Sequence, residues 1–114
     1  MEHNVQNKSF QFAVRIVNLC KILRNERQEY ILSKQLLRSG TSIGANIAEA
    51  QQAQTRPDFL SKLSISLKET SETLYWLRLL EATDYLTQSE FESICSDCVE
   101  LEKILTASVK AMKK

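Results

Sequence analysis

Residues that break helices are scarce in this chain. Its 114 residues include two glycines and one proline, whereas average proteins contain about 7% glycine and about 5% proline. Because both residues are unfavourable inside helices, their scarcity favours long uninterrupted helices and argues against a disordered chain. We predict a single domain, residues 1–114, which is long enough to bury a core of its own.

Histidine and cysteine are also rare, and their scarcity argues against several kinds of site. The single histidine, His3, lies outside every predicted helix, whereas paired-metal sites in helix bundles need Glu-x-x-His motifs. Cys20, Cys95 and Cys98 are an odd number, which fits reduced thiols better than a disulfide framework. Cys95-x-x-Cys98 lacks the second pair of ligands that a zinc site needs, so we interpret both cysteines as small buried side chains. We expect no cofactor and no metal.

Long apolar runs and a strong excess of one charge are missing as well. No run approaches the roughly 18 apolar residues of a membrane span, and the polar start, Met-Glu-His-Asn, predicts no signal peptide. We therefore expect a cytoplasmic protein without membrane contact. The 15 basic and 14 acidic residues lack the excess of positive charge that is usual in a dedicated nucleic-acid-binding domain.

What the chain does contain is apolar spacing of three and four residues, which predicts four helices. The first should run from about Asn7 to Arg24 and the second over residues 33–50. The third should begin at Thr55-Arg56-Pro57-Asp58, and the fourth at the capping box Thr87-Gln88-Ser89-Glu90. Short links make successive helices antiparallel neighbours. The predicted fold is all-α, an antiparallel up-and-down four-helix bundle.

Both glycines, Gly40 and Gly44, lie in the second helix. Each costs a helix up to ~1 kcal/mol relative to alanine, so we predict close helix packing there, with a kink or break between Ser39 and Gly44. The stretch also matches the G-x-S-x-G motif of hydrolases, but that motif needs a preceding strand and a nearby histidine. We interpret the match as chance.

A polar line runs along the same helix, formed by Arg38, Ser42, Asn46 and Glu49. Two interpretations are open. These side chains either form hydrogen bonds around the kink, or they contribute to a subunit contact or the rim of a ligand site. An enzyme would need a polar pocket with a perturbed acid or base, and the surroundings of Arg38, Asn46 and Glu49 are where we would look for it.

The third helix has two apolar stripes and therefore two surfaces to bury. One stripe is typical of a core face. The other contains Ile65, Trp76 and Leu79, which project to nearly the opposite side. The 82–87 connection could cover Trp76 in a monomer, but Ile65 lies three turns earlier and out of its reach. We predict that this stripe is an interface between copies of the chain.

Positive charge is concentrated near the start of the chain, with seven Lys or Arg and three acids in residues 1–38. The predicted surface for nucleic acid or another partner contains Lys8, Arg15, Lys21, Arg24, Lys34 and Arg38. An ordinary solvated surface is the alternative. A strongly basic patch would arise only when several subunits are arranged together.

Several motifs resemble those of a known family. They are Gln35-Leu36-Leu37-Arg38, Ser42-Ile43, Asn46-Ile47-Ala48-Glu49, Phe59-Leu60, and Leu63-Ser64-Ile65-Ser66-Leu67 followed by Glu69 and Glu72-Thr73. The chain resembles the four-helix-bundle proteins encoded by intervening sequences within bacterial 23S rRNA genes. Many relatives have proline where this chain has Gly44, so glycine would make the same bend here.

The resemblance has implications for assembly and function. Members of the family are similar to the accessory protein of diversity-generating retroelements, which is strongly basic and is thought to bind nucleic acid and a reverse transcriptase. The resemblance implies an assembly of bundles into a homopentameric barrel without established enzymatic activity.

We therefore predict a non-enzymatic, homo-oligomeric binding or scaffold module. Its expected partners are copies of itself together with RNA, DNA or a nucleic-acid enzyme. The alternative is a protein–protein adaptor that binds no nucleic acid.

Overall fold

The computed structural model describes residues 3–113 and contains four α-helices, α1 (His3–Asn25), α2 (Leu32–Ala50), α3 (Arg56–Ala82) and α4 (Gln88–Met112). Each helix contacts the next, and α1 closes the bundle against α4. In the described part of the chain the backbones of α1 and α3 do not approach each other closely, so these helices occupy diagonal corners. The bundle is 44 Å long and 20 Å across, and the predicted four-helix, all-α fold is confirmed. None of the described helices has both the length and the hydropathy of a membrane span.

The predicted starts of α3 and α4 are confirmed by their caps. The Thr55 hydroxyl accepts a hydrogen bond from the backbone N–H of Asp58 at 3.2 Å, with proline in the first turn of α3. At α4 the capping box is complete, since Thr87 and Glu90 exchange both bonds, at 3.1 and 2.8 Å. Capping of this kind satisfies N–H groups that have no partner within the helix.

Helix α1 begins at His3, four residues before the predicted start at Asn7. The earlier start has a simple cause, because Val5 is buried and extends the buried face formed by Ser9 and Phe12 by a further turn. The side chain of His3 lies outside the described residues.

Helix α2 is continuous from Leu32 to Ala50, so the predicted break between Ser39 and Gly44 is wrong. The predicted close packing is confirmed. A Cβ atom at Gly40 would lie 2.8 and 2.9 Å from the two γ-carbons of Ile16, and one at Gly44 would lie 3.3 Å from the backbone oxygen of Ser9. The glycines therefore let α1 approach α2. The G-x-S-x-G match lies wholly inside this helix, and residues 3–39 contain no strand.

The turn between α1 and α2 contains a cap that the sequence analysis missed. Gln28 has a positive φ of 58°, which turns the chain so that the Glu29 side chain is buried at the start of α2. Its carboxylate accepts hydrogen bonds from the backbone N–H groups of Ile31, Leu32 and Ser33 at 3.3, 3.0 and 2.7 Å. The sequence signal that could have predicted this cap is a glutamate three residues before the start of a helix, where negative charge is favourable.

The core lies along the bundle axis and includes two of the cysteines. Cys20 and Cys98 are buried, and their thiols donate to the backbone oxygens of Ser33 and Thr70 at 3.4 and 3.6 Å. Burial raises the pKa of Cys20 to about 11 and that of Cys98 to about 12. Cys95 is half-buried, and all three are free thiols. Cys98 is therefore a small core side chain, as predicted, whereas Cys95, which was also predicted to be buried, is buried only in part.

Candidate interaction surfaces

The polar line of α2 and the tryptophan of α3 belong to one network. The Arg38 guanidinium pairs with Glu69 at 3.0 Å and also with Glu72. Glu72 in turn accepts a hydrogen bond from the indole N–H of Trp76 at 2.9 Å. These two hydrogen bonds, from Trp76 first and Arg38 second, lower the pKa of Glu72. The network therefore ties α2 to the outer side of α3.

The rest of the polar line is engaged within the subunit. The Ser42 hydroxyl donates to the backbone oxygen of Arg38 at 2.6 Å, and the Asn46 amide donates to that of Ser42 at 2.8 Å. Glu49 pairs with Lys62 of α3 at 3.0 Å. These contacts support the first of the two interpretations, in which the polar line forms hydrogen bonds within the subunit. They form on a continuous helix, without the kink that the interpretation assumed.

Buried hydroxyl groups join α2 and α3 below this network. The Ser66 hydroxyl donates to the backbone oxygen of Ile43 at 2.7 Å, and the Thr73 hydroxyl is hydrogen-bonded to the hydroxyl oxygen of Ser39 at 3.0 Å. Such bonds compensate for the burial of polar groups and fix the register of two helices. The sequence analysis did not single them out, although residues 66, 70 and 73 continue the core spacing between Leu63 and Leu77.

The second stripe of α3 is only partly as predicted. Ile65 is 41% exposed, and Leu79 is half-buried. Trp76 does not project to the opposite side, because its large indole packs against the core while its N–H reaches Glu72. Tyr75, which the prediction omitted, is 57% exposed and meets Trp76 edge to face at 5.1 Å.

The outward face of α3 carries a line of exposed residues, Ile65, Lys68 and Tyr75, with half-buried Glu72 and Leu79 beside it. We call this line the α3 ridge. Beside it, Tyr75, Leu79 and Phe91 of α4 line a groove of about 400 Å³.

A second exposed apolar line lies on α1 and was missed. Phe10 is 65% exposed and Val14 is 40% exposed. They are followed by Val17 and Lys21 at spacings of three and four, and we call these four residues the α1 ridge. Phe10 borders a groove of about 420 Å³ against the small residues of α2, among them Gly44 and Ala48. The sequence signal was the regular spacing of these residues on a face away from the core.

Half of the predicted basic surface is neutralised within the subunit. Besides Arg38, Lys8 pairs with Glu100 at 2.6 Å, and Arg15 pairs with Asp97 at 2.6 Å. Lys8 and Arg15 hold α1 to α4, whereas Arg38 holds α2 to α3. The structure therefore does not bring the six predicted residues together into one patch.

The other three residues of the predicted basic surface lie near the turn between α1 and α2. Lys21, Arg24 and Lys34 are exposed, and within residues 3–113 none of them forms an ion pair. The Arg24 guanidinium lies over the exposed ring of Tyr30, 5.9 Å from its centroid. Basic groups beside an exposed aromatic ring can attract an anionic partner.

The described residues contain no group of three or more His, Cys, Asp or Glu side chains placed to hold a metal ion.

Comparison with known proteins identifies relatives of the chain. Its closely similar solved structures include a crystal structure, at 1.70 Å resolution, of a protein with unknown function from the S23 ribosomal protein family of Bacteroides thetaiotaomicron VPI-5482. That protein is 58% identical over 93% of this chain and 98% of its own, with a TM-score of 0.92. No curated protein gave a match. The family model described as 23S rRNA-intervening sequence protein matches residues 1–107. The chain therefore belongs to the family of 23S rRNA-intervening sequence proteins.

Proposed function

We propose that this protein is a non-enzymatic, homo-oligomeric binding or scaffold module of the cytoplasm. In this proposal copies of the bundle assemble into a ring, for which the pentamer implied by the sequence resemblance is the starting hypothesis. The assembled ring engages nucleic acid or a protein that handles nucleic acid. The three free cysteines support a reducing compartment.

The observation that carries the proposal is the exposed α3 ridge. Ile65 and Tyr75 are 41% and 57% exposed on a helix whose opposite face is buried in the core. Large apolar side chains left exposed on one helix face can mark a protein–protein contact. Assembly would remove it from water.

Lys21, Arg24 and Lys34 support the nucleic-acid part of the proposal. One subunit has too little unpaired positive charge for tight binding, but a ring repeats the same three residues in every copy. The affinity for a polyanion would then fall steeply with added salt, because binding releases counterions. The names of the family and of the solved relative refer to 23S rRNA and to a ribosomal protein family, which favours RNA as the first probe.

A specific observation favours the alternative, a protein–protein adaptor. Lys8, Arg15 and Arg38 are engaged in ion pairs within the subunit, so the basic surface is half the size that the sequence predicts. An adaptor would use the exposed apolar ridges and would have no need of the remaining bases.

The mass of the protein in solution tests the proposal. Sedimentation should show an oligomer for the wild type and a monomer for a variant with Ile65→Asp and Tyr75→Asp. Trp76 is unsuitable for substitution, because it packs against the core. Ser96→Asp changes an exposed residue of a different helix, α4, and is the matched control, which should remain oligomeric.

Three outcomes separate the hypotheses. A monomeric wild type would contradict assembly, and a double variant that stays oligomeric would contradict this choice of interface. An oligomer that binds neither RNA nor DNA at low salt would contradict nucleic-acid binding and favour the protein–protein adaptor.

A further inference from the structure

The side of the bundle formed by α1 and α2 carries positive charge with little negative charge to balance it. Helix α1 contains no acidic residue, and the single acid of α2, Glu49, pairs with Lys62 of α3. Lys21, Arg24 and Lys34 are exposed, and within residues 3–113 none of them forms an ion pair. Cations that lie close together repel one another, so an anion bound among them relieves the repulsion.

These three cations lie side by side at one end of the bundle. The Cys20 thiol donates to the backbone oxygen of Ser33 at 3.4 Å, which sets Lys34 of α2 level with Lys21 of α1. Lys21 and Arg24 are three residues apart and are therefore neighbours on the surface of α1. The cluster thus spans both helices.

The turn between α1 and α2 adds an aromatic ring to the cluster. Tyr30 is 52% exposed, and its hydroxyl donates to the side-chain oxygen of Gln28 at 2.7 Å. The Arg24 guanidinium lies over the ring. These contacts hold the ring in place before a ligand arrives, which lowers the cost of ordering it on binding. Of the two acids in this turn, Glu29 is buried as the cap of α2, so Glu26 is the one exposed acid beside three cations.

A groove of about 420 Å³ continues along the same side of the bundle. Thr41 and Ala45 line it on α2, and Lys34 lies two turns before Thr41 on the same side of that helix. Phe10, which is 65% exposed, lines it on α1. Helix α1 rises about 21 Å between Phe10 and Arg24, a length that a few nucleotides of an extended strand can span. We call the three cations, the tyrosine ring and this groove the α1–α2 face.

We propose that the α1–α2 face binds single-stranded nucleic acid, with backbone phosphates on the three cations and unpaired bases stacked on Tyr30 and Phe10. Single-strand sites combine a positively charged groove with exposed aromatic rings, because every base has a face that can stack. A duplex keeps its bases stacked on one another and would use the cations alone, and an acidic peptide would not use the rings. This inference rests on the proposed binding of nucleic acid and goes beyond it by naming the surface and the form of the ligand.

Binding of one sequence in single-stranded and duplex form tests the inference. Fluorescence anisotropy with a labelled RNA on the order of ten nucleotides long, alone or paired with its complement, should show tighter binding of the single strand at the same salt concentration. Tyr30→Leu keeps an apolar side chain but removes the ring. It should weaken binding of the single strand roughly tenfold and leave binding of the duplex nearly unchanged, whereas Tyr30→Trp should restore the affinity.

Two further measurements separate stacking from other effects. Ile31→Ala is the matched control, because Ile31 is 76% exposed beside Tyr30 but has no aromatic face, and this variant should bind like the wild type. A strand that carries 2-aminopurine reports stacking directly, since the fluorescence of this base falls when it stacks. The decrease should be smaller with Tyr30→Leu and with Phe10→Leu, in variants whose circular dichroism and sedimentation match those of the wild type.

The other outcomes overturn the inference in distinguishable ways. If the duplex binds at least as tightly as the single strand, or if Tyr30→Leu and Phe10→Leu both leave the affinity unchanged, the inference is wrong although the proposed binding of nucleic acid stands. If neither form binds at low salt, the inference fails together with the nucleic-acid part of the proposed function, and binding of polyglutamate would then assign the cations to an acidic protein. A monomeric wild type that prefers the single strand would support the inference and contradict only the assembly.

Discussion

At the scale of single residues, the glycines of α2 show how local sequence controls packing. A Cβ atom at Gly40 would meet the buried Ile16 side chain at 2.8, 2.9 and 3.1 Å, and the branched carbon of Ile16 has little freedom to move. We expect Gly40→Ala to lower the free energy of unfolding by about 1–2 kcal/mol, because overpacking outweighs the gain in helix propensity. Urea denaturation measures the change.

The second glycine is the matched control. A Cβ atom at Gly44 would lie 3.3 Å from the backbone oxygen and from the hydroxyl oxygen of Ser9, so a shift of a few tenths of an ångström accommodates it. We expect Gly44→Ala to change the free energy of unfolding by less than about 1 kcal/mol. A Gly40→Ala variant at least as stable as the wild type would contradict the close contact with Ile16.

The buried cap at Glu29 gives a second prediction at this scale. Its carboxylate satisfies three backbone N–H groups at the start of α2. Glu29→Ala leaves those donors without their partner and should lower the free energy of unfolding by about 2 kcal/mol. Glu26→Ala removes an exposed carboxylate from the same turn and should change it by less than about 0.5 kcal/mol. Equal effects of the two changes would contradict the role of Glu29 as a cap.

Residue-scale features were predictable where the reason is local. Ser42 bonding to its own helix, and Thr55 and Thr87 as caps, follow from chemistry within four residues. The outward position predicted for Trp76 was wrong, because a helical projection gives the direction of Cβ but not where a large indole finally packs. Glu29 was missed since its capping role depends on the positive φ of Gln28.

At the scale of elements, the interfaces between neighbouring helices differ in the interactions that stabilise them. At the α1–α2 interface the glycines allow the two backbones to approach closely. The α2–α3 interface contains hydrogen bonds made by buried hydroxyl groups and, nearer the surface, ion pairs. Arg27, in the turn after α1, joins that turn to α4 by a bidentate pair with Glu90, at 2.9 and 2.6 Å. The same carboxylate completes the capping box of α4, so one side chain both starts a helix and closes the bundle.

The contacts of the Glu90 carboxylate make the free energy of unfolding depend on pH. Hydrogen bonds from Arg27, and then from the Thr87 backbone, lower the pKa of Glu90 from its ordinary 4.5 to about 2. A carboxyl with a lowered folded-state pKa contributes stability that is fully present above its unfolded pKa and is lost as the pH falls toward the folded value. The stability of the wild type relative to Glu90→Gln should therefore decline as the pH drops from about 4.5 to about 2.

Unfolding in urea at a series of pH values measures that decline. Replacing Arg27 by Met removes the main cause of the lowered pKa, so in this background the effect of Glu90→Gln should vary much less with pH. A difference between wild type and Glu90→Gln that is constant across the window would show that the ion pair does not stabilise the contact between the α1–α2 turn and α4.

The positions of the helices were the most predictable part of the fold, since spacing and caps act within each segment. The break in α2 was predicted from the intrinsic cost of two glycines, but tertiary packing overrides that cost when a neighbouring helix fills the space. Ile16 and Ser9 belong to another helix, so the sequence of α2 alone could not show that α1 fills the space beside the glycines.

At the scale of the whole molecule, what matters is which surfaces remain after the bundle forms. Periodicity predicted that α3 has surplus apolar surface. It did not show that Lys8, Arg15 and Arg38 find acidic partners, because those acids lie on helices distant in sequence. The unpaired bases and the two apolar ridges emerge only when the four helices are placed together.

This placement predicts which bases matter for a polyanion. Lys21→Ala with Lys34→Ala removes two exposed cations that have no partner in residues 3–113, whereas Lys8→Ala with Arg15→Ala removes two that are already paired. Fluorescence anisotropy with labelled RNA and DNA, over a series of salt concentrations, should show weaker binding for the first pair. Its salt slope should fall by about one for each contacting lysine removed.

The second pair should bind nearly as well as the wild type, provided that sedimentation shows both variants to be oligomers of the same size. This condition matters because Lys21 also lies on the α1 ridge, so a loss of binding through dissociation would appear first in the mass. If the oligomers match and the Lys8 and Arg15 variant loses more affinity, the polyanion lies along α1 and α4 and the ion pairs open to receive it. If neither variant changes the affinity, the bases near the α1–α2 turn are not the binding surface, and the adaptor function gains support.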